Sequence, residues 1–401
     1  MPHDDARPAG AGYPDNPPLV RLWRGDAVES QHRGAWCLVD TEGRVVAGAG
    51  SFRAPIHARS SVKCLQALPL LESGAADRHG YREDELALAL ASHDAEEQHT
   101  RRVDELLARL GLTVAHLRCG PQPPGNSEAR MALKALGLRP TALHNNCSGK
   151  HAGFLALALH LGVAPERYLE PDSAGQRLVR EAVLDMARLE ERELSTAIDG
   201  CSAPTFRLPL VGLATAFARV SNPIGLAPAR RAACERMLAA VERHPELIAG
   251  SRKRLCTDIA RATGGRLFPK VGGEAVYALG ARGRGLALAA KIDDGGNRAL
   301  HALVVALLER FAIATPDELA RLEPWRERVL VNWAGLEVGR SSGRRRCRST
   351  RTRASPVASR SSPAVAGCAA RPRSLAERRA AAGRDSSRSW RATRRSPVKF
   401  S

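Results

Sequence analysis

The feature that most constrains this chain is the placement of its strand-like segments at its two ends. Trp36-Cys37-Leu38-Val39-Asp40, a Thr-Glu-Gly turn and Val45-Val46-Ala47 read as a hairpin near the start. Strand patterns return only over 266–271, 274–279, 285–292 and 328–333, separated by glycine-rich turns. Between the two groups, apolar residues recur at helical spacing over 60–71, 83–91, 97–110, 126–136, 151–161, 173–189, 210–219 and 230–244, and a further helix is expected over 297–311. Pro69 is expected to kink or end the first of these helices. Asn126 or Ser127 can cap the fourth and Gly137 can stop it. Ends that pair into one antiparallel sheet around a helical insert give an α+β fold.

Hydrophobic residues make up 44% of the chain but aromatics only 4%, so the core must be built from Leu, Ala and Val. No stretch of about 18 uninterrupted apolar residues exists, so no membrane span is expected. No N-terminal segment has the basic and apolar regions of a signal peptide, which makes the cytoplasm the expected compartment. Nine cysteines without regular spacing fit reduced thiols better than a disulfide framework. The net charge of +19 would point to nucleic acid were it spread over the fold, but residues 340–401 carry +16 of it and residues 1–339 only +3. Three regions follow: a flexible Pro- and Gly-rich leader over 1–18, a catalytic domain over 19–339, and a basic tail over 340–401 with the composition of a disordered segment. The tail is the one place where a nucleic-acid partner is expected; its composition also suits an incidental extension.

Four segments carry reactive groups. Arg59-Ser60-Ser61-Val62-Lys63 sets a hydroxyl and an amine three residues apart at a helix start, on one face of its first turn. A serine needs an adjacent base to act as a nucleophile, and a lysine with a lowered pKa can be that base. Ser396 and Lys399 repeat the spacing in the tail, so spacing alone is not specific. Ala91-Ser92-His93-Asp94 offers a second hydroxyl after an apolar run, suited to a cleft or to a plain helix cap. Phe268-Pro269-Lys270-Val271-Gly272-Gly273-Glu274 puts a lysine at a strand end, either facing a cleft or solvated at the turn. Asn145 through Gly153 groups Cys147, Ser148, Lys150 and His151 ahead of an apolar helix, where Gly153 would allow close backbone approach. Together with Cys201 in Asp199-Gly200-Cys201, Cys147 reads either as a buried cysteine or as one of two soft metal ligands, with Lys150 as a candidate third. Lysine is rare here, seven against 54 arginines, and only lysine can lose its proton to serve as a base.

These segments, with Arg33-Gly34, Cys119-Gly120-Pro121 and Lys291-Ile292-Asp293-Asp294-Gly295, resemble in order the asparaginase II family, of which the Rhizobium etli inducible asparaginases are examples. The resemblance implies a fold like that of serine β-lactamases and penicillin-binding proteins and hydrolysis of L-asparagine to L-aspartate and ammonia. It implies two Ser–Lys pairs, Ser60 with Lys63 and Ser92 with Lys270, Ser60 being the nucleophile and Lys63 its base. It implies a zinc site of Cys147, Lys150 and Cys201, with no organic cofactor. His151 and Asp199 are then expected beside the bound amino acid, Asp199 on its ammonium and Arg59 on its carboxylate, with Cys256 nearby. A homodimer is implied as well. The sequence departs from the family at Cys64, Gln122 and Asp94-Ala95. A penicillin-recognising or D-peptide serine hydrolase also uses Ser-x-x-Lys, and a nucleic-acid binder acting through the tail or an inactive product of a damaged gene are the readings outside that chemistry.

Overall fold

The structure, a computed structural model, describes residues 14–327 and 329–343. Its strands are β1 (Pro18–Arg24), β2 (Ala27–Asp40), β3 (Val45–Ala49), β4 (Pro55–His57), β5 (Ser195–Ile198), β6 (Pro204–Pro209), β7 (Leu267–Gly272), β8 (Val276–Ala281), β9 (Leu286–Ile292), β10 (Val329–Val331) and β11 (Glu337–Gly343). The chain divides into two compact units, 1–347 and 348–401, and the second lies outside the described residues.

β2 organises the large sheet because it is long enough to serve different neighbours along its length. Its first half pairs with β1 and its second half with β3 and β9, all antiparallel, giving the order β10-β11-β1-β2-β9-β8-β7 with β3 beside β2. First and last strands thus meet in one sheet, as an α+β chain with strands at both ends requires. β8 is buried at every position and β9 at all but one, which only strands covered on both faces can be. Register shows how. Trp36, Ala290 and Tyr277 align across β2, β9 and β8 on one face, where Trp36 meets Phe311 at the end of the helix Asn297–Arg310. Val39, Ala287 and Gly280 align on the other, against the helix Leu210–Ser221. The core is mainly Leu, Ala and Val, as the scarcity of aromatic residues demands.

The helical insert and the small sheet β4-β6-β5 lie between β3 and β7 in the chain. The helix Lys63–Glu72 runs through Pro69 instead of ending there. Asn126 caps the helix Ser127–Ala135 by accepting from the Ala129 N–H at 3.0 Å. The helix Leu255–Ala262 was not anticipated from the sequence. At the ends, the expected strand over 328–333 shortens to β10. β11 runs on to Gly343 and pairs with β1, so residues 340–343 belong to the sheet and not to the tail. The leader also stops short of residue 18: Asn16 is buried, donates to Asp293 Oδ1 at 2.9 Å and accepts from the Ser51 N–H. Residues 1–13 and the rest of the tail lie outside the described residues. Among the described residues no helix is long and apolar enough to cross a membrane.

Close approach in the helix Ser148–His160 falls at Gly149, not at Gly153. A Cβ on Gly149 would stand 2.4 Å from the Leu88 carbonyl oxygen, whereas one on Gly153 would meet nothing nearer than Leu70 at 3.4 Å. Gly153→Ala should therefore stabilise the fold by about 0.5–1 kcal/mol through helix propensity. Gly149→Ala should destabilise it by about 1–3 kcal/mol through backbone overlap. Urea midpoints of the two variants check both signs.

Candidate active site

Ser60 sits on a short 3-10 turn, Arg59–Val62, just ahead of the helix Lys63–Glu72. The turn is clamped: the Ala58 N–H donates to Phe206 O at 3.0 Å and the Ser61 hydroxyl to Ala58 O at 2.6 Å. Arg59 enters it with φ +52°, a left-handed conformation that costs an L-residue about 1–2 kcal/mol and needs support from its surroundings. The Gly272-Gly273 pair at the end of β7 gives the turn room. A Cβ on Gly272 would be 2.6 Å from Ala58 O, and one on Gly273 would be 3.3 Å from the Arg59 guanidinium carbon.

Ser92 follows the helix Glu83–Ala89 and is held by its backbone. Its N–H donates to Ile248 O at 3.0 Å, and its carbonyl accepts from Arg254 Nη2 at 2.9 Å. Arg254 also pairs with Asp94, one of the departures from the family pattern. Lys270 projects from β7 and brings Nζ to 2.8 Å from Ser92 Oγ; Lys63 brings its own to 3.1 Å. One hydroxyl thus lies between two buried amines from distant parts of the chain. Lys63 also donates to Ala91 O and, at 3.4 Å, to Asn146 O. The Ser60 hydroxyl makes no hydrogen bond among the described residues, so the amine three residues on turns to Ser92 instead of to Ser60.

Two cations cannot share one hydroxyl cheaply. Burial and then the charge of Lys63 lower Lys270 to about 7, which leaves a large neutral fraction near neutral pH. Lys63 is also lowered, first by burial, with the charge of Lys150 adding and the Cys147 and Cys201 thiols opposing.

Ser60 and Ser92 line a cavity of about 520 Å³, together with Arg59, Asp199, Cys147 and Cys201. Arg59 Nε donates to Asp199 Oδ1 at 2.5 Å. Burial opposes ionisation of Asp199, but the Gly200 N–H and the Arg59 guanidinium outweigh it and hold the carboxyl below its usual range. Lys150 Nζ stands 3.1 Å from Cys201 Sγ, and the Cys147 thiol donates to Asn146 Oδ1 at 3.0 Å. Interaction between the two cysteines lowers Cys147 well below the usual thiol value and, with burial, raises Cys201. Burial would lower Lys150, but the two sulfurs reverse this and keep it charged. Two soft sulfurs and one amine therefore converge, a donor set that suits zinc once the amine gives up its proton. Among the described residues no three His, Cys, Asp or Glu side chains converge, so a metal here depends on Lys150 as a ligand.

The remaining expected residues separate. Cys256 lines the cavity beside Tyr277. His151 does not line it. It is fully buried, with Nδ1 2.6 Å from the Tyr168 hydroxyl, and burial keeps it neutral with a pKa well below the usual imidazole value. Arg254, Leu255, Tyr277, Asn297 and His301 also line the cavity and were not anticipated. Asn297 and His301 lie one helical turn apart on the helix Asn297–Arg310, and Lys253, one of the few lysines, stands at the rim with φ +54°. No local motif marks Asn297 and His301, because the packing of that helix brings them to the cavity. Gln122, noted as a departure, lines the cavity and accepts from the Asn146 N–H at 3.1 Å.

No curated protein matches the chain. Solved structures similar to it include a β-lactamase from Mycobacterium bovis, at 16% identity over 69% of this chain and 94% of that one with a TM-score of 0.38. Another is Mglu in its tris and glutamate form, at 16% identity and a TM-score of 0.35 over 75% of this chain; the match spans 64% of that protein, less than two thirds of its length. The L-asparaginase II family model matches residues 20–342, which takes in all of β2 through β10, both serines and all four site lysines, and the chain belongs to that family.

Proposed function

We propose that the protein is an amidohydrolase that converts L-asparagine to L-aspartate and ammonia. The observation that carries this reading is Ser92 Oγ held between Lys270 at 2.8 Å and Lys63 at 3.1 Å on the wall of a cavity that also holds Ser60 and the Arg59–Asp199 pair. Arg59 takes the α-carboxylate of the substrate and Asp199 its ammonium, which directs the side-chain amide at the serines. Ser60, whose hydroxyl is free, attacks the amide carbon. Its proton enters the Lys63–Ser92–Lys270 chain once Lys63 swings from Ser92 toward Ser60 to accept it, and the chain carries a proton onward to the departing nitrogen, which leaves as ammonia. Water, deprotonated by the same chain, then cleaves the β-aspartyl ester and releases aspartate. If zinc binds, Cys147, Lys150 and Cys201 hold it, and its charge polarises groups at that end of the cavity.

Ammonia release from L-asparagine by Ser60→Ala and Ser92→Ala tests the assignment. Both should fall by at least about 10³-fold, the order expected when a nucleophile or its proton path is removed. Full activity in Ser60→Ala with none in Ser92→Ala would transfer the nucleophile to Ser92. Full activity in both would end the proposal. Asp199→Asn should raise KM for asparagine by about 10–100-fold with a smaller change in kcat, since a charge-assisted hydrogen bond to the ammonium is worth about 1.5–3 kcal/mol.

A further inference from the structure

A second cavity, of about 650 Å³, lies back to back with the first and shares Arg59 and Gly200 with it. It contains none of the four Ser–Lys groups. The small sheet lines part of it: Thr205 and Arg207 lie on the same face of β6, and His57 of β4 is the register partner of Arg207. Lys291 and Glu274 line it from the large sheet and its turn, and Ile56 and Leu210 add apolar surface.

Four of these groups have work left undone. Thr205 Oγ1 is buried with no hydrogen-bond partner, an arrangement that normally costs stability. The exposed Arg207 guanidinium and the exposed Glu274 carboxylate form no ion pair among the described residues, although both line one cavity. Lys291 is nearly buried; its ammonium donates to Glu274 O at 2.6 Å and Ile292 O at 2.5 Å, which accounts for two of its three protons. The remaining acid, Asp293, is engaged by Asn16.

An unpaired cation, an unpaired carboxylate, a buried hydroxyl and a spare ammonium proton around one cavity match both ends of a zwitterion. We propose that this cavity is a second binding site for a free α-amino acid. Arg207, Lys291 and the Thr205 hydroxyl receive its carboxylate, and Glu274 receives its ammonium. Arg59 forms the partition. Its guanidinium pairs with Asp199 on the catalytic side, so a carboxylate in the second cavity competes for it and couples the two sites. The choice of ligand rests on the asparaginase reading, since its product is itself a free α-amino acid; the site does not.

Equilibrium dialysis of radiolabelled L-aspartate against the full chain tests this. Wild type should bind two equivalents. Arg207→Ala and Glu274→Gln should each bind one, with asparagine turnover unchanged when no aspartate is added. Asp199→Asn should lose the other equivalent. Binding of one equivalent that is lost in Asp199→Asn and kept in Arg207→Ala and Glu274→Gln would overturn the proposal, as would two equivalents unaffected by either cavity variant, or no binding at all. One equivalent lost only in Arg207→Ala and Glu274→Gln would support the second site while counting against the catalytic reading. Circular dichroism of both variants separates loss of the site from loss of the fold.

Discussion

Lys270→Met should lower kcat/KM for asparagine by about 10²–10⁴-fold, the span a positioned acid–base group contributes, without lowering Tm. Loss of activity and retention of stability separate because Lys270 is fully buried and already poised to be neutral near pH 7. Methionine keeps most of the volume and removes the cost of burying an amine. Lys270→Arg should be as inactive as the methionine variant, since a guanidinium stays charged at every accessible pH and cannot take a proton from Ser92. In the wild type, kcat/KM should climb as pH rises through about 7 and Lys270 becomes able to accept a proton. That limb should vanish in both variants. The stability of the wild type should move in the same direction. Between about 7 and the ordinary lysine value of 10.5 the unfolded chain binds one more proton at this position than the folded one, so stability rises with pH across that window. A pH–rate profile with no inflection near 7 in the wild type would remove Lys270 from the proton path.

Gly280→Ala should destabilise the fold by about 3 kcal/mol, at the upper end of what overpacking a core costs. A Cβ at this position would stand 1.9 Å from Ser221 Oγ and 2.6 Å from Phe217 O, where the helix Leu210–Ser221 crosses β8. The first obstacle is removable and the second is backbone. Ser221→Ala alone should be close to neutral, because the Ser221 hydroxyl is buried without a partner. The double variant should recover part of the loss but not all, leaving a coupling energy that reads the side-chain share of the clash. Full recovery, measured by urea denaturation, would mean that the Phe217 carbonyl yields freely and that helix and sheet are not held at a fixed distance.

The longer helices of the insert and the strands β2, β3, β7, β8 and β9 were legible because each is long enough to show its own period. β1 was hidden next to the Pro- and Gly-rich leader, and β11 in a stretch of Gly, Ser and Arg with little apolar alternation. Besides their local partners β2 and β10, these two pair with each other, a contact between residues more than 300 apart. The short strands β4, β5 and β6 escaped for the same reason. Their stability comes from one another and from the helices beneath them, and local propensity carries little of it.

The sequence by itself determined which side chains could do chemistry: the two serines, the few lysines kept in an arginine-rich chain, and the two cysteines near charged partners. It also determined the order of elements, since periodicity is a local property of the chain. Only the tertiary structure decided which groups meet. It turned Lys63 away from the serine on its own turn and toward Ser92, joined Lys270 to the same hydroxyl, buried His151 behind Tyr168, and brought Asn297 and His301 to the cavity. Hydrogen bonds act over about 3 Å, and which atoms come that close depends on how the sheet and the insert pack, a sum over the whole core that no single segment encodes.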